Sequence, residues 1–345
     1  MYFIANNYSI YSIYSIYSIY SVANNSLHFL IESLIHDWLH YIQDVYQTRQ
    51  RVIKNDKESY HSFIATPMPV IKTVFMICEH FDLAPNARYI ALYLYEKFMW
   101  ENFLKVHDDY RKNVDETATW EQICQKISNQ SKLRLMSCIQ IASKIESNLK
   151  GLYIPQVRLR RLDRKNAYTP HAVYFSEFKV FKTVGFKIPF VTPLDCVEVL
   201  ITAAGLDVTV QFWYTAISLL DLSYLQHHQL CTRLRLAAHG RAGKSEEGDE
   251  NTMTVEVNVL RLGASVVLCT TLLFDFSETT VATTAAALAD VIHVDQSDIW
   301  TMANILFAMG YETTKDFLEL WINVIFFPLW KLITINHIVV RHFTN

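Results

Sequence analysis

Residues 133–147, LRLMSCIQIASKIES, constrain the fold more than any other stretch of the chain. Leu133, Leu135, Met136, Cys138, Ile139, Ile141, Ala142 and Ile145 place apolar side chains around most of a helical circumference. A helix of this kind has to be covered by neighbours on nearly every side, which predicts the centre of a helical bundle. Its polar residues Arg134, Ser137, Gln140 and Lys144 follow at steps of three, three and four, and so form one narrow stripe. Two readings of Lys144 stand side by side: a solvated cation favoured by the carbonyl end of the helix dipole, or a cation that awaits a partner.

The rest of the chain supports an all-α reading. Of 345 residues 51% are hydrophobic, with only 8 Gly and 8 Pro, a balance that suits helices joined by short connections. The length allows two domains. A net charge of −3 supplies no global field toward nucleic acid or an anionic membrane, and argues against direct binding of either. The six cysteines contain no C-x-x-C pair, so reduced thiols in an intracellular compartment are expected.

Residues 1–26 repeat Tyr-Ser-Ile with period 3, which matches neither a strand nor a helix, and read as a low-complexity, disordered segment without a secretion signal. Residues 27–60 read as an amphipathic leader helix (Leu30, Leu34, Trp38, Tyr41, Val45) and a polar linker. Helices follow at PVIKTVFMICEHF and APNARYIALYLYEKFM, with residues 100–130 irregular apart from a piece around WEQICQKI. The central helix is expected over 132–147 and a short one around Leu159 and Leu162. In YTPHAVYFSEFKVFKTVGF, Thr169 suits the cap, Pro170 the first turn and Gly185 the left-handed residue past the end. These five helices make one unit over 61–190. A second, degenerate set of five is expected over 191–310, although TVEVNVLRL also alternates like a strand. An apolar tail occupies 311–345; charged and polar residues interrupt it at 317–340 and argue against a membrane span.

No stretch carries catalytic chemistry. H-E-x-x-H, G-x-S-x-G and paired carboxylates are missing, so no catalytic residue, metal, cofactor or small-molecule substrate is expected. AHGRAGKS (238–245) imitates a phosphate loop, but a helical run precedes it and EEGDEN follows. The basic run Arg158, Arg160, Arg161 and Arg164 can touch nucleic acid, or simply be the solvated face of a short helix.

Glu177 shares a stripe with Val173, Val180 and Val184, a costly place for an unpaired carboxylate. Lys144 and Glu177 thus present opposite charges from adjacent helices, either as an internal bridge or as the border of a groove that docks another protein. The segments that carry them resemble the cyclin family: LRLMSCIQIASKIES is similar to the third helix of a cyclin box, with its A-S-K, and YTPHAVYFSEFKVFKTVGFKIPFVTPLDCVEVL to the fifth helix and the T-P that opens the next box. PNARYIALYLYEKFM resembles the second helix.

The resemblance implies two consecutive cyclin boxes and a non-catalytic regulator or scaffold. It also implies that Lys144 and Glu177 hold the mobile helix region of a cyclin-dependent kinase. Within the family the likeness is to a branch acting in meiosis. This implies a nuclear location, meiotic pro-crossover factors as partners, and promotion of crossover maturation. Thr73 stands where the substrate-docking tryptophan of cyclins would be, which argues against recruitment of substrates through that patch. The alternative is a cyclin-box nucleic-acid or transcription adaptor without a kinase, using Arg158 to Arg164.

Overall fold

The structure, a computed structural model, describes residues 35, 37–44, 47, 66–112, 119–147, 168–188, 191–206, 208–241, 258–274 and 277–317. Every regular element among the described residues is a helix. The helix expected from TVEVNVLRLGASVVLCTTLLF is present from Val259 onward, despite the strand-like alternation of TVEVNVLRL, because the following apolar run is long enough to be covered on all sides. The chain divides into two compact units, with the boundary between Asp195 and Cys196.

The first unit is built from α1 (Met68–His80), α2 (Pro85–Lys112), α3 (Trp120–Ser147) and α4 (Pro170–Thr183). Helix α1 starts behind Pro67, whose carbonyl accepts from the Val70 and Ile71 amides, and buries Ile71, Val74, Phe75 and Cys78. Helices α2 and α3 run well into the region that reads as irregular. A capping box explains the early start of α3: Thr119 Oγ1 accepts from the Gln122 amide at 3.3 Å, and Gln122 Oε1 accepts from the Thr119 amide at 3.1 Å. Trp120 then packs against Phe103, His107 and Tyr110 of α2, which gives the extension of α2 something to bury. Helix α4 begins and ends as its sequence predicts. Thr169 Oγ1 accepts from the Ala172 amide at 3.2 Å, Pro170 opens the first turn, and Gly185 sits at φ +68°.

Helix α3 is covered by α1, α2 and α4. Cys138, Ile139 and Ala142 have no exposed surface. The polar stripe is covered too, apart from Lys144. Ser137 and Gln140 are fully buried and Arg134 nearly so, because this is the side on which α4 packs. Ser137 Oγ donates to Leu133 O at 2.9 Å and meets Ser176 Oγ of α4 at 2.6 Å. Small residues on both helices let the two backbones approach.

Helix α5 (Pro193–Ala203) starts at the end of the first unit and continues into the second, which also contains α6 (Val210–Leu225), α7 (His227–Arg241), α8 (Val259–Phe274), α9 (Glu278–Ile292) and α10 (Gln296–Phe317). Its centre is α8, buried continuously from Leu262 to Thr271. Helix α7 adds one element to those read from the sequence. It is polar overall but packs through Leu230, Cys231 and Leu234 and is separated from α6 only by Gln226. Burial pushes the Cys269 thiol of α8 up to about 12, as expected of an inert cysteine in a core.

Several expectations fall outside the described residues: segment 1–26, the helix around Leu159 and Leu162, Arg158, Arg160, Arg161 and Arg164, the loop after Arg241, and the tail at 318–345. Within the leader, residues 37–44 are helical, with Leu39 and Ile42 buried and Trp38 and Tyr41 exposed. The buried side is therefore not the aromatic one.

A candidate docking site at Lys144 and Glu177

The stripe of α3 ends at Lys144, one residue turn short of the helix terminus, and α4 crosses it there. Val173, Val180 and Val184 are each at most 2% exposed and set the buried face of α4. Glu177 shares that face, so its carboxylate is carried inward with them. Lys144 Nζ donates to Glu177 Oε2 at 2.6 Å. The pair is uneven: the lysine side chain is 43% exposed and the glutamate side chain 10%. Glu177 Oε1 is buried with no hydrogen-bond partner among the described residues. A carboxylate held in low dielectric with one oxygen unsatisfied retains about 1–3 kcal/mol of unmet hydrogen bonding.

The side chains expected at the site are thus brought together, with one accessible and one sunk. The arrangement is an internal bridge with an open cationic side. Arg134, two to three turns back on α3, takes another role. It lies over the Phe98 ring at 5.7 Å and donates to Gln130 Oε1 at 3.0 Å.

Two nearby features were not read from the sequence. Glu146, two residues past Lys144, has its carboxyl pushed up to about 7, by burial first and by Asp195 second. Asp195 belongs to a ring of hydrogen bonds that closes the first unit. Asp195 Oδ2 accepts from the Thr192 amide at 2.7 Å and Thr192 Oγ1 from the Asp195 amide at 3.2 Å, a capping box for α5. Asn86, at the start of α2, donates to Asp195 Oδ1 at 3.1 Å and accepts from Thr192 Oγ1 at 2.7 Å. The T-x-x-D spacing signals the box, whereas nothing local signals Asn86.

Among the described residues no group of three His, Cys, Asp or Glu side chains could hold a metal ion, and no helix is long and apolar enough to cross a membrane.

The described residues form an all-α protein whose central helix hands a lysine to a glutamate of the next helix, an architecture consistent with a cyclin-like fold given the chain's relatives. The chain is 27% identical over 208 residues to cyclin N-terminal domain-containing protein 1 of Homo sapiens, a match covering 57% of this chain and 62% of that protein. The protein of the same name in Mus musculus is 26% identical over 235 residues, which are 64% of this chain and 68% of the relative. The match thus spans a little under two thirds of the human relative's length. The chain is thus similar to two proteins named for a cyclin N-terminal domain. No family model matches it.

Proposed function

We propose that the chain is a non-catalytic, cyclin-like regulator or scaffold that engages a cyclin-dependent kinase through Lys144 and Glu177. The observation that carries this reading is the unsatisfied, buried Oε1 of Glu177 beside a half-exposed ammonium. A partner carboxylate can draw Lys144 outward, and a partner N–H can satisfy the glutamate. Both gains arise only on binding, so a bridge that is mediocre in the free chain becomes a complete network in the complex. Relatives whose name contains a cyclin domain support the same class of partner.

We further propose that it acts in the nucleus with meiotic pro-crossover factors. The resemblance to the meiotic branch of the family supports this. The adaptor alternative rests on Arg158, Arg160, Arg161 and Arg164, which lie outside the described residues.

Co-precipitation from meiotic tissue tests the kinase reading. Wild type should recover a cyclin-dependent kinase, and Lys144→Glu should recover far less, since loss of a central charged contact costs about 2 kcal/mol or more. The variant's helical signal and melting temperature are measured alongside. Unchanged kinase recovery by a folded Lys144→Glu protein would sink the proposal.

A further inference from the structure

The lysine–glutamate pair uses one side of α4 and leaves the opposite side unexplained. Phe175, Phe178, Lys179 and Lys182 follow at i, i+3, i+4 and i+7, which is one face of a helix. All four are exposed, Phe175 at 55% and Phe178 at 52%. His171 extends the aromatic surface by a turn, its ring centroid 4.3 Å from that of Phe175. Large aromatic side chains grouped in water, with cations among them, mark an interaction surface rather than an ordinary solvated face.

Cations from two other helices gather beside it. Burial comes first in lowering the proton affinity of Lys179, and the charges of Arg134, Lys105 and Lys126 add to it. Among the described residues no carboxylate contributes to the Lys179 shift. Arg134 is sunk on Phe98, but Lys105, Lys126 and Lys179 are exposed, and none makes an ion pair or hydrogen bond among the described residues. Three like charges from three helices repel one another, and a negative ligand relieves that repulsion.

The patch is short. On α2, Glu101 lies one turn before Lys105, and Asp108 and Asp109 lie one turn after, all exposed. A nucleic-acid backbone, charged at every nucleotide, would run from the lysines onto these carboxylates. A brief acidic stretch would not. The exposed phenylalanines also ask for apolar side chains from the same ligand.

We propose that this face of α4, flanked by Lys105 and Lys126, docks a short acidic protein segment. Its Asp and Glu side chains meet the lysines and its apolar side chains cover Phe175 and Phe178. The surface is distinct from the kinase site by face: Glu177 is turned inward on α4, whereas Phe175, Phe178 and Lys179 lie on its exposed side.

Fluorescence anisotropy with the full chain tests this, using a labelled peptide that alternates Glu with Leu and Phe. A peptide with Gln for Glu and a single-stranded oligonucleotide of equal charge are titrated in parallel. The acidic peptide should bind and weaken with salt, and the neutral one should not bind. Lys126→Glu combined with Lys179→Glu should lower affinity about tenfold or more, as should Phe175→Ser combined with Phe178→Ser, with the helical signal retained. The lysine and phenylalanine variants should still recover kinase as wild type does, which keeps this result independent of the kinase test. No binding of the acidic peptide, equal binding of the neutral peptide, tighter binding of the oligonucleotide, or indifference to the lysine reversals would overturn the proposal.

Discussion

Lys144 and Glu177 meet at 2.6 Å, yet the lysine is four times as exposed as its partner, at 43% against 10%. Their removal should therefore have unequal effects. Lys144→Ala strands a buried carboxylate and should destabilise the fold by about 2–3 kcal/mol. Glu177→Ala leaves an ammonium that can turn to water and should cost about 1 kcal/mol. The Lys144→Met, Glu177→Leu double variant should recover most of the loss. Urea denaturation followed by circular dichroism gives all three values, and equal losses in the two single variants would count against the burial asymmetry.

Glu146 should make stability depend on pH. Its folded carboxyl titrates at about 7 against 4.5 ordinarily, raised by burial and by Asp195. Between these values the folded chain holds a proton that the unfolded chain has released. Stability from this group is therefore fully present below the ordinary value and is lost as pH rises through about 7. The helix C-terminus, unfavourable to an anion, acts in the same direction. Glu146→Gln should flatten this slope, with a gain of about 2 kcal/mol over wild type at pH 8 and little at pH 4. Urea midpoints at the two pH values check it. A wild-type-like slope in Glu146→Gln would assign the dependence elsewhere.

The helices whose sequences carry both a periodic face and a punctuation signal were legible, and α4 is the clearest, with Thr169, Pro170 and Gly185 each in the predicted place. The pairing of Lys144 with Glu177 was legible because each charge interrupts an apolar surface. What escaped is tertiary. The far halves of α2 and α3 look irregular alone, since Trp120 and Phe103 stabilise each other only once the two helices are side by side. Helix α7 hides behind a polar composition in which three buried apolar residues suffice. Whether the stripe of Arg134, Ser137 and Gln140 faces water or α4 depends on which helix arrives there, and a single helix does not carry that information.

The ring of Asn86, Thr192 and Asp195 should hold the end of the first unit. Asn86→Ala removes two side-chain hydrogen bonds at 2.7 and 3.1 Å and should cost about 1–2 kcal/mol. Asp195→Ala also breaks the α5 capping box and should cost as much or more. It has a second effect: without the Asp195 charge, the Glu146 carboxyl should titrate lower, and part of the pH slope should disappear. Stability of Asp195→Ala at several pH values separates the two contributions. A lower overall stability with the full slope intact would remove Asp195 as a cause of the Glu146 shift.

The crossing of α3 and α4 depends on two hydroxyls 2.6 Å apart, Ser137 and Ser176, both at most 1% exposed. Space there is too tight for a larger side chain, and the same crossing brings Lys144 to Glu177. Ser137→Ala should be mild, below about 1 kcal/mol, because Ser176 still has the Leu133 carbonyl within 3.5 Å. Ser137→Leu should separate the helices and cost about 1–3 kcal/mol. If it remains folded, it should also lose the unequal Lys144 and Glu177 effects, since the bridge can no longer close. A double-mutant cycle between Ser137→Leu and Lys144→Ala measures this. Strict additivity would mean that the bridge forms without the close approach of α3 and α4, whereas a coupling of about 1 kcal/mol or more would show that the two small residues set the geometry of the charged pair.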